Sequence, residues 1–171
     1  LVALVHFVPQ VLVLVVGAGL FGWRPSFAEG WWFLIGMVIL LIFTMGLGML
    51  AAALNAAFRD VENFVDLIIM VATWTSPVLY ALSMVKETIG GSVWWVLYSL
   101  NPITIVVECF HGAFWRPMAR ALDESGASAS TVAAGAEAAG LWWAGLLIAI
   151  VVFAFGTFVF ERSKRKFAQE L

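Results

Sequence analysis

Long apolar runs cut by short polar clusters set the pattern of this chain. Residues 1–21 are apolar except for His6 and Gln10, with Pro9 between them. Crossing a bilayer takes about 20 residues at about 1.5 Å each, so this run predicts one helical span, kinked at Pro9. His6 and Gln10 are four apart and share a face, which either meets neighbouring helices or lines a polar path. Residues 22–30 hold Arg24, Pro25 and Glu29, and Trp23, Trp31 and Trp32 bound them, as expected of an interface turn. A second span is predicted over 31–57. Thr44, Gly48, Ala52 and Ala56 recur there every fourth residue, a small-residue stripe suited to close helix packing.

The next cluster is Arg59, Asp60, Glu62 and Asp66, the densest charge before the C-terminus. Glu62 and Asp66 fall on one side of a helical turn, with Phe58, Val61, Phe64 and Val65 on the other. The segment reads either as a solvated loop with interfacial aromatics or as a docking segment for a partner protein. A third span is predicted over 67–85, interrupted by Thr73, Thr75 and Ser76 before Pro77. Hydroxyls beside a proline can satisfy the carbonyls that a bent helix frees. Trp74 and Tyr80 flank this break.

Residues 93–115 form two apolar octets divided by Asn101-Pro102. Eight helical residues cover about 12 Å, short of a bilayer core, and one full span would leave Glu108 and His111 in lipid. The expectation is a re-entrant helical hairpin turning at Asn101 and Pro102, with a single kinked span as the alternative. Residues 116–140 are rich in Ala, Ser and Gly and predict a mobile external loop with room for a short helix. The last span is expected over 141–160, followed by a basic tail, 161–171.

Charge counting leaves the hairpin and the kinked span open. With four spans, one side carries Arg59, Arg162, Lys164, Arg165 and Lys166, five basic residues against four. With five spans, the tail side carries six against three. Both counts put the tail in the cytoplasm under the positive-inside rule, but they differ on the side of Arg59.

Composition agrees with a polytopic, all-α membrane protein. The 171 residues are 63% hydrophobic and 12% charged, with a mean hydropathy of +1.00; soluble domains carry about 25% charged residues. A net charge of −2 without a basic patch argues against nucleic acid. Cys109 is the single cysteine, which excludes an internal disulfide and a cysteine-based metal site. The chain opens at Leu1 on apolar residues with no charged n-region, so it is expected to be the later part of a longer protein rather than to start with a signal peptide. It has no phosphate-binding glycine loop, no zinc-helix motif and no nucleophile elbow. Glu108 and His111 are three apart and share a helical face, which suits a structural or substrate-contacting pair better than a catalytic one. No catalytic or metal-binding residues are expected.

Arg59-Asp60, then Ser76-Pro77 and Tyr80, then Asn101-Pro102-Ile103-Thr104 and Glu108, occur in the order found in ABC-2 type permeases. The whole chain resembles that family, most closely the exporters of O-antigen, capsule and teichoic acid. The resemblance implies a subunit of six spans, four of them in this chain, that works as a dimer with two ATPase subunits. ATP and Mg would bind in those partners, and no cofactor in this chain. It implies that Arg59, Asp60 and Glu62 lie near the ATPase on the cytoplasmic side of the plasma membrane. It implies that 93–115 is the external re-entrant hairpin, and that the substrate is a polyprenyl-diphosphate-linked glycan. Trp74, Ser76, Pro77, Tyr80, Phe110 and Trp115 are then candidates for the substrate path. Relatives often carry Arg where this chain has His111, and a histidine near neutral pH meets a pyrophosphate only weakly. An exporter of drugs or small lipids, and a membrane scaffold or enzyme of envelope synthesis, are the alternatives.

Overall fold

A computed structural model describes residues 2–20, 27–58, 61–115 and 126–167. The described residues are helices and turns without a strand, and the chain is a helical membrane protein. The helices are α1 (Val2–Leu20), α2 (Phe27–Ala57), α3 (Val61–Thr75), α4 (Leu82–Ile89), α5 (Val93–Ser99) and α6 (Pro102–Phe110). A π-helical turn (His111–Trp115) extends α6, and α7 (Gly126–Gly140) and α8 (Trp142–Phe167) complete the chain.

Two helices among the described residues are long and apolar enough to cross a membrane, Gly30–Ala57 within α2 and Trp142–Ser163 within α8. They pack on each other through glycines. A Cβ added at Gly46 would lie 2.6 Å from Phe153 Cα, and one added at Gly156 would overlap the Gly46 carbonyl. One turn on, Thr157 Oγ1 donates to Met49 Sδ at 3.2 Å. Rising numbers in α2 meet rising numbers in α8, so the two helices run parallel. Their Trp-rich starts, Trp31-Trp32 and Trp142-Trp143, therefore lie at the same end, as interfacial aromatics do. Ile39, Ile105, Val106, Cys109, Ala139 and Ala149 form the buried cluster that seats α6 and α7 against this pair.

The small-residue stripe of α2 does not make this contact. Thr44, Gly48, Ala52 and Ala56 are exposed, and Gly46 and Ala53 are buried instead. Small residues occur on two faces of α2, and spacing alone does not tell which face meets α8. His6 and Gln10 on α1 are also exposed within this chain.

The run at 67–85 is not one helix. The helix starts earlier, at Val61, and its 15 residues end at Thr75, a length of about 22 Å. The chain turns over 76–81 and re-forms as the short α4. Pro77 has no N–H for the Thr73 carbonyl, and the Ser76 hydroxyl donates to that carbonyl at 2.9 Å instead. Residues 126–140 are the later part of the stretch expected to be a loop with room for a short helix, and here they are helical throughout. They form α7, which packs against α4 and α6 and buries Ala134, Ala138 and Ala139. Alanine is the strongest helix former, and its small side chain allows close approach, so this composition serves a tightly packed helix.

Candidate functional site

The break after α3 opens a cavity. Pro77, Tyr80 and Leu82 form one wall and Glu108, His111 and Trp115 the other, with Thr131 of α7 at the edge. Its volume is about 330 Å³. Five residues singled out from the sequence meet here: Pro77, Tyr80, Glu108, His111 and Trp115.

Each wall has a local cause. The Tyr80 hydroxyl donates to the Thr75 carbonyl at the end of α3, at 2.8 Å, and lies 2.9 Å from the Tyr98 hydroxyl of α5. The turn is thereby tied to the helix before it and to the hairpin after it. On the other side, Asn101 caps α6 by accepting from the Ile103 N–H at 3.1 Å, and Pro102 fills the first helical position, where no N–H is needed. The helices 93–99 and 102–115 meet at 63°. The π turn adds a residue to the repeat and carries Trp115 to the cavity, as such turns often do near functional sites.

Glu108 is buried, with 5% of its side chain exposed, and its Oε1 lies 3.1 Å from His111 Nδ1. The His111 and Trp115 rings stand 6.0 Å apart and tilted by 57°. Gly135 of α7 makes room for the carboxylate, since a Cβ there would overlap Glu108 Oε2. Ser83 and Thr131 hydroxyls 2.9 Å apart hold α4 to α7. Outside the cavity, Lys86 pairs with Glu137 and sits 5.7 Å above the Trp95 ring. No group of three or more His, Cys, Asp or Glu suited to a metal occurs among the described residues.

The remaining candidates lie elsewhere. Ser76 is buried at the break and holds the backbone. Trp74 points outward, 67% exposed. Phe110 turns away from the cavity onto α2, with its ring centroid 5.5 Å from Phe33. Arg59 and Asp60 fall outside the described residues. Glu62 and Asp66 border a second opening of about 330 Å³, with Ala51, Ala52, Asn55, Val61 and Val65, at the opposite end of α3 from the cavity. Sequence reading missed Tyr98, Thr131 and Gly135. The last two lie in the segment expected to be a loop, and Tyr98 carries no signal beyond its place in an apolar octet.

The model of the ABC-2 type transporter family matches residues 2–115, from α1 to the cavity's Trp115. The chain belongs to the ABC-2 type transporter family. Among its relatives is the O-antigen export system permease protein RfbA of Klebsiella pneumoniae. It is 32% identical over 109 residues, which are 64% of this chain and 40% of the relative. The protein of the same name from Myxococcus xanthus is 29% identical over 107 residues, 61% of this chain and 38% of that one. The chain thus spans about two fifths of the length of the ABC-2 relatives it matches. No solved structure matches it.

Proposed function

We propose that this chain is part of the membrane-spanning permease of an ABC exporter that moves a lipid-linked polysaccharide across the cytoplasmic membrane. A separate ATPase subunit supplies the energy, and a second copy of the permease completes the path. The substrate is a polyprenyl-diphosphate-linked glycan. The observation that carries this reading is the match to O-antigen export permeases over 64% of the chain.

The geometry supports a division of labour along α3. Parallel α2 and α8 require an odd number of crossings between them. One crossing by α3 with 93–115 re-entrant satisfies this, as does one crossing by 93–115 with α3 in the interface, whereas two crossings do not; the first keeps the external hairpin that the family resemblance implies. The ends of α2 and α8 then share a side with the basic residues Arg162, Lys164, Arg165 and Lys166, which the positive-inside rule assigns to the cytoplasm. Glu62, at the elbow between α2 and α3, and its chain neighbours Arg59 and Asp60 receive the ATPase on that side. The cavity lies at the other end of α3, so a tilt of α3 at the elbow moves the cavity wall at Pro77 to Tyr80.

The test is complementation. The full-length protein and its partner ATPase are expressed in a host whose own exporter of lipid-linked glycan is deleted. Surface glycan returns with the active ATPase and is absent with a hydrolysis-dead one. Glycan that stays inside the cell in both cases overturns the reading.

A further inference from the structure

We propose that the groove between α5 and the end of α7 binds one zwitterionic phospholipid, phosphatidylethanolamine, with its ammonium on Glu137 and its phosphate on Lys86. The lipid is a resident of the bilayer, so the site does not depend on what the permease exports.

The groove lies at the headgroup level. Trp95, Val96 and Leu100 line one side and Ala138 and Leu141 the other, around a space of about 230 Å³. Leu141 adjoins Trp142 and Trp143 at the start of α8, and tryptophans gather where hydrocarbon meets headgroups. On α5 itself, Trp94, Val96 and Leu97 stand exposed, an apolar surface that suits acyl chains.

The charges beside the groove suit a zwitterion. Glu137 also lines it. Its carboxylate holds the Lys86 ammonium, which sits 5.7 Å from the centre of the Trp95 ring. A carboxylate and an indole face together form a receptor for an ammonium group, and Lys86 fills this one from within the chain. The Lys86 and Glu137 side chains are 42% and 54% exposed, so a headgroup reaches both. An ion pair this exposed is weak and exchanges readily. A headgroup of both signs replaces it without leaving a charge unmatched. The lipid ammonium takes the place of Lys86 on Glu137 and Trp95, and Lys86 turns to the phosphate. A lipid whose head is only anionic gives Lys86 a partner but sets its own charge beside Glu137.

The wall also holds an unsatisfied hydroxyl. Ser99 lines the same groove, is 5% exposed, and its Oγ has no hydrogen-bond partner among the described residues. A buried hydroxyl left so is costly. The ester carbonyl just below a phospholipid headgroup supplies an acceptor, and the acyl chain beneath it covers the apolar walls.

The experiment is site-directed photo-cross-linking. The full-length protein with its ATPase is placed in nanodiscs of equal phosphatidylethanolamine and phosphatidylglycerol. Val96→p-benzoylphenylalanine puts a photoreactive group on the groove wall, and its adducts are identified by mass spectrometry. We expect phosphatidylethanolamine adducts to exceed phosphatidylglycerol adducts by about threefold or more, the scale of one exposed ion pair. Glu137→Gln removes both the partner of the ammonium and the repulsion of an anionic head, so the two adducts become equal. Lys86→Gln lowers both adducts, and Lys86→Arg retains them. An ion pair that only braced the helices would change both adducts alike and leave their ratio as it was. The thermal transition of each variant reports its folding. Equal adducts with Lys86 and Glu137 intact overturn the site without recourse to any variant of the pair. An unchanged ratio in folded Glu137→Gln, or adducts to a second copy of the chain in place of lipid, also overturns it. The expected ratio in a protein that fails complementation leaves the site standing and overturns the transport reading.

Discussion

The hydroxyls of Tyr80 and Tyr98 lie 2.9 Å apart, and Tyr80 also donates to the carbonyl of Thr75. One phenol thus holds the end of α3, the turn after it and α5 together. Loss of the Tyr80 hydroxyl removes a donor from the Thr75 carbonyl and a partner from Tyr98, whereas loss of the Tyr98 hydroxyl spares the bond to Thr75. Tyr80→Phe should cost about 1 kcal/mol of stability or somewhat more, and Tyr98→Phe less. The double variant should fall short of the sum, because both changes remove the same contact. Thermal unfolding of the full-length protein in detergent reads all three.

Gly135 and Gly140 lie five residues apart in α7 and should respond to alanine in opposite ways. A methyl at Gly135 overlaps the Glu108 carboxylate, whereas Gly140 has open space around it. Gly135→Ala should destabilise by about 1–3 kcal/mol as the buried carboxylate is displaced. Gly140→Ala should be neutral or mildly stabilising, since alanine favours helix. Equal transition temperatures for the two variants would contradict the seating of α7 on Glu108.

The same logic separates Gly46 from Gly48 in α2. Gly46→Ala pushes a methyl against the Phe153 backbone, which cannot swing aside, and Gly48→Ala meets nothing within 4 Å in this chain. Gly46→Ala should lower the transition temperature clearly and Gly48→Ala should leave it nearly unchanged. The reverse order would restore the stripe read from the sequence as the α2–α8 contact.

What the sequence made legible, and what it hid, follows from these residues. Ser76-Pro77 and Asn101-Pro102 announced two breaks, because a missing N–H has local consequences wherever it occurs. The three-residue spacing of Glu108 and His111 put them on one face, and the structure brings them into contact. The choice of face on α2 was hidden, since small residues line two sides and only the partner helix selects one. The length and packing of the helix at 126–140 were hidden because Ala, Ser and Gly serve both loops and tight packing; Gly135 gains meaning only from the carboxylate beside it. Phe110 stood among the substrate-path candidates through the family resemblance, yet its ring lies against Phe33 of α2.

Coupling through the elbow predicts a separation of phenotypes. Asp60→Ala and Arg59→Ala should cut export or ATPase coupling several-fold while the protein still inserts and assembles. Export is read as surface glycan and insertion as protein in the membrane fraction. Normal export from both variants would count against the elbow as the receiver of the ATPase.

The side of each loop decides the account most directly. Single cysteines are placed by Glu62→Cys, Arg162→Cys and Glu87→Cys in a cysteine-free background of the full-length protein that includes Cys109→Ser, and intact cells are treated with a membrane-impermeant maleimide. The account predicts labelling at position 87 from the medium, and at 62 and 162 only after the membrane is opened. Labelling at 62 from the medium, or 62 and 162 on opposite sides, would contradict it.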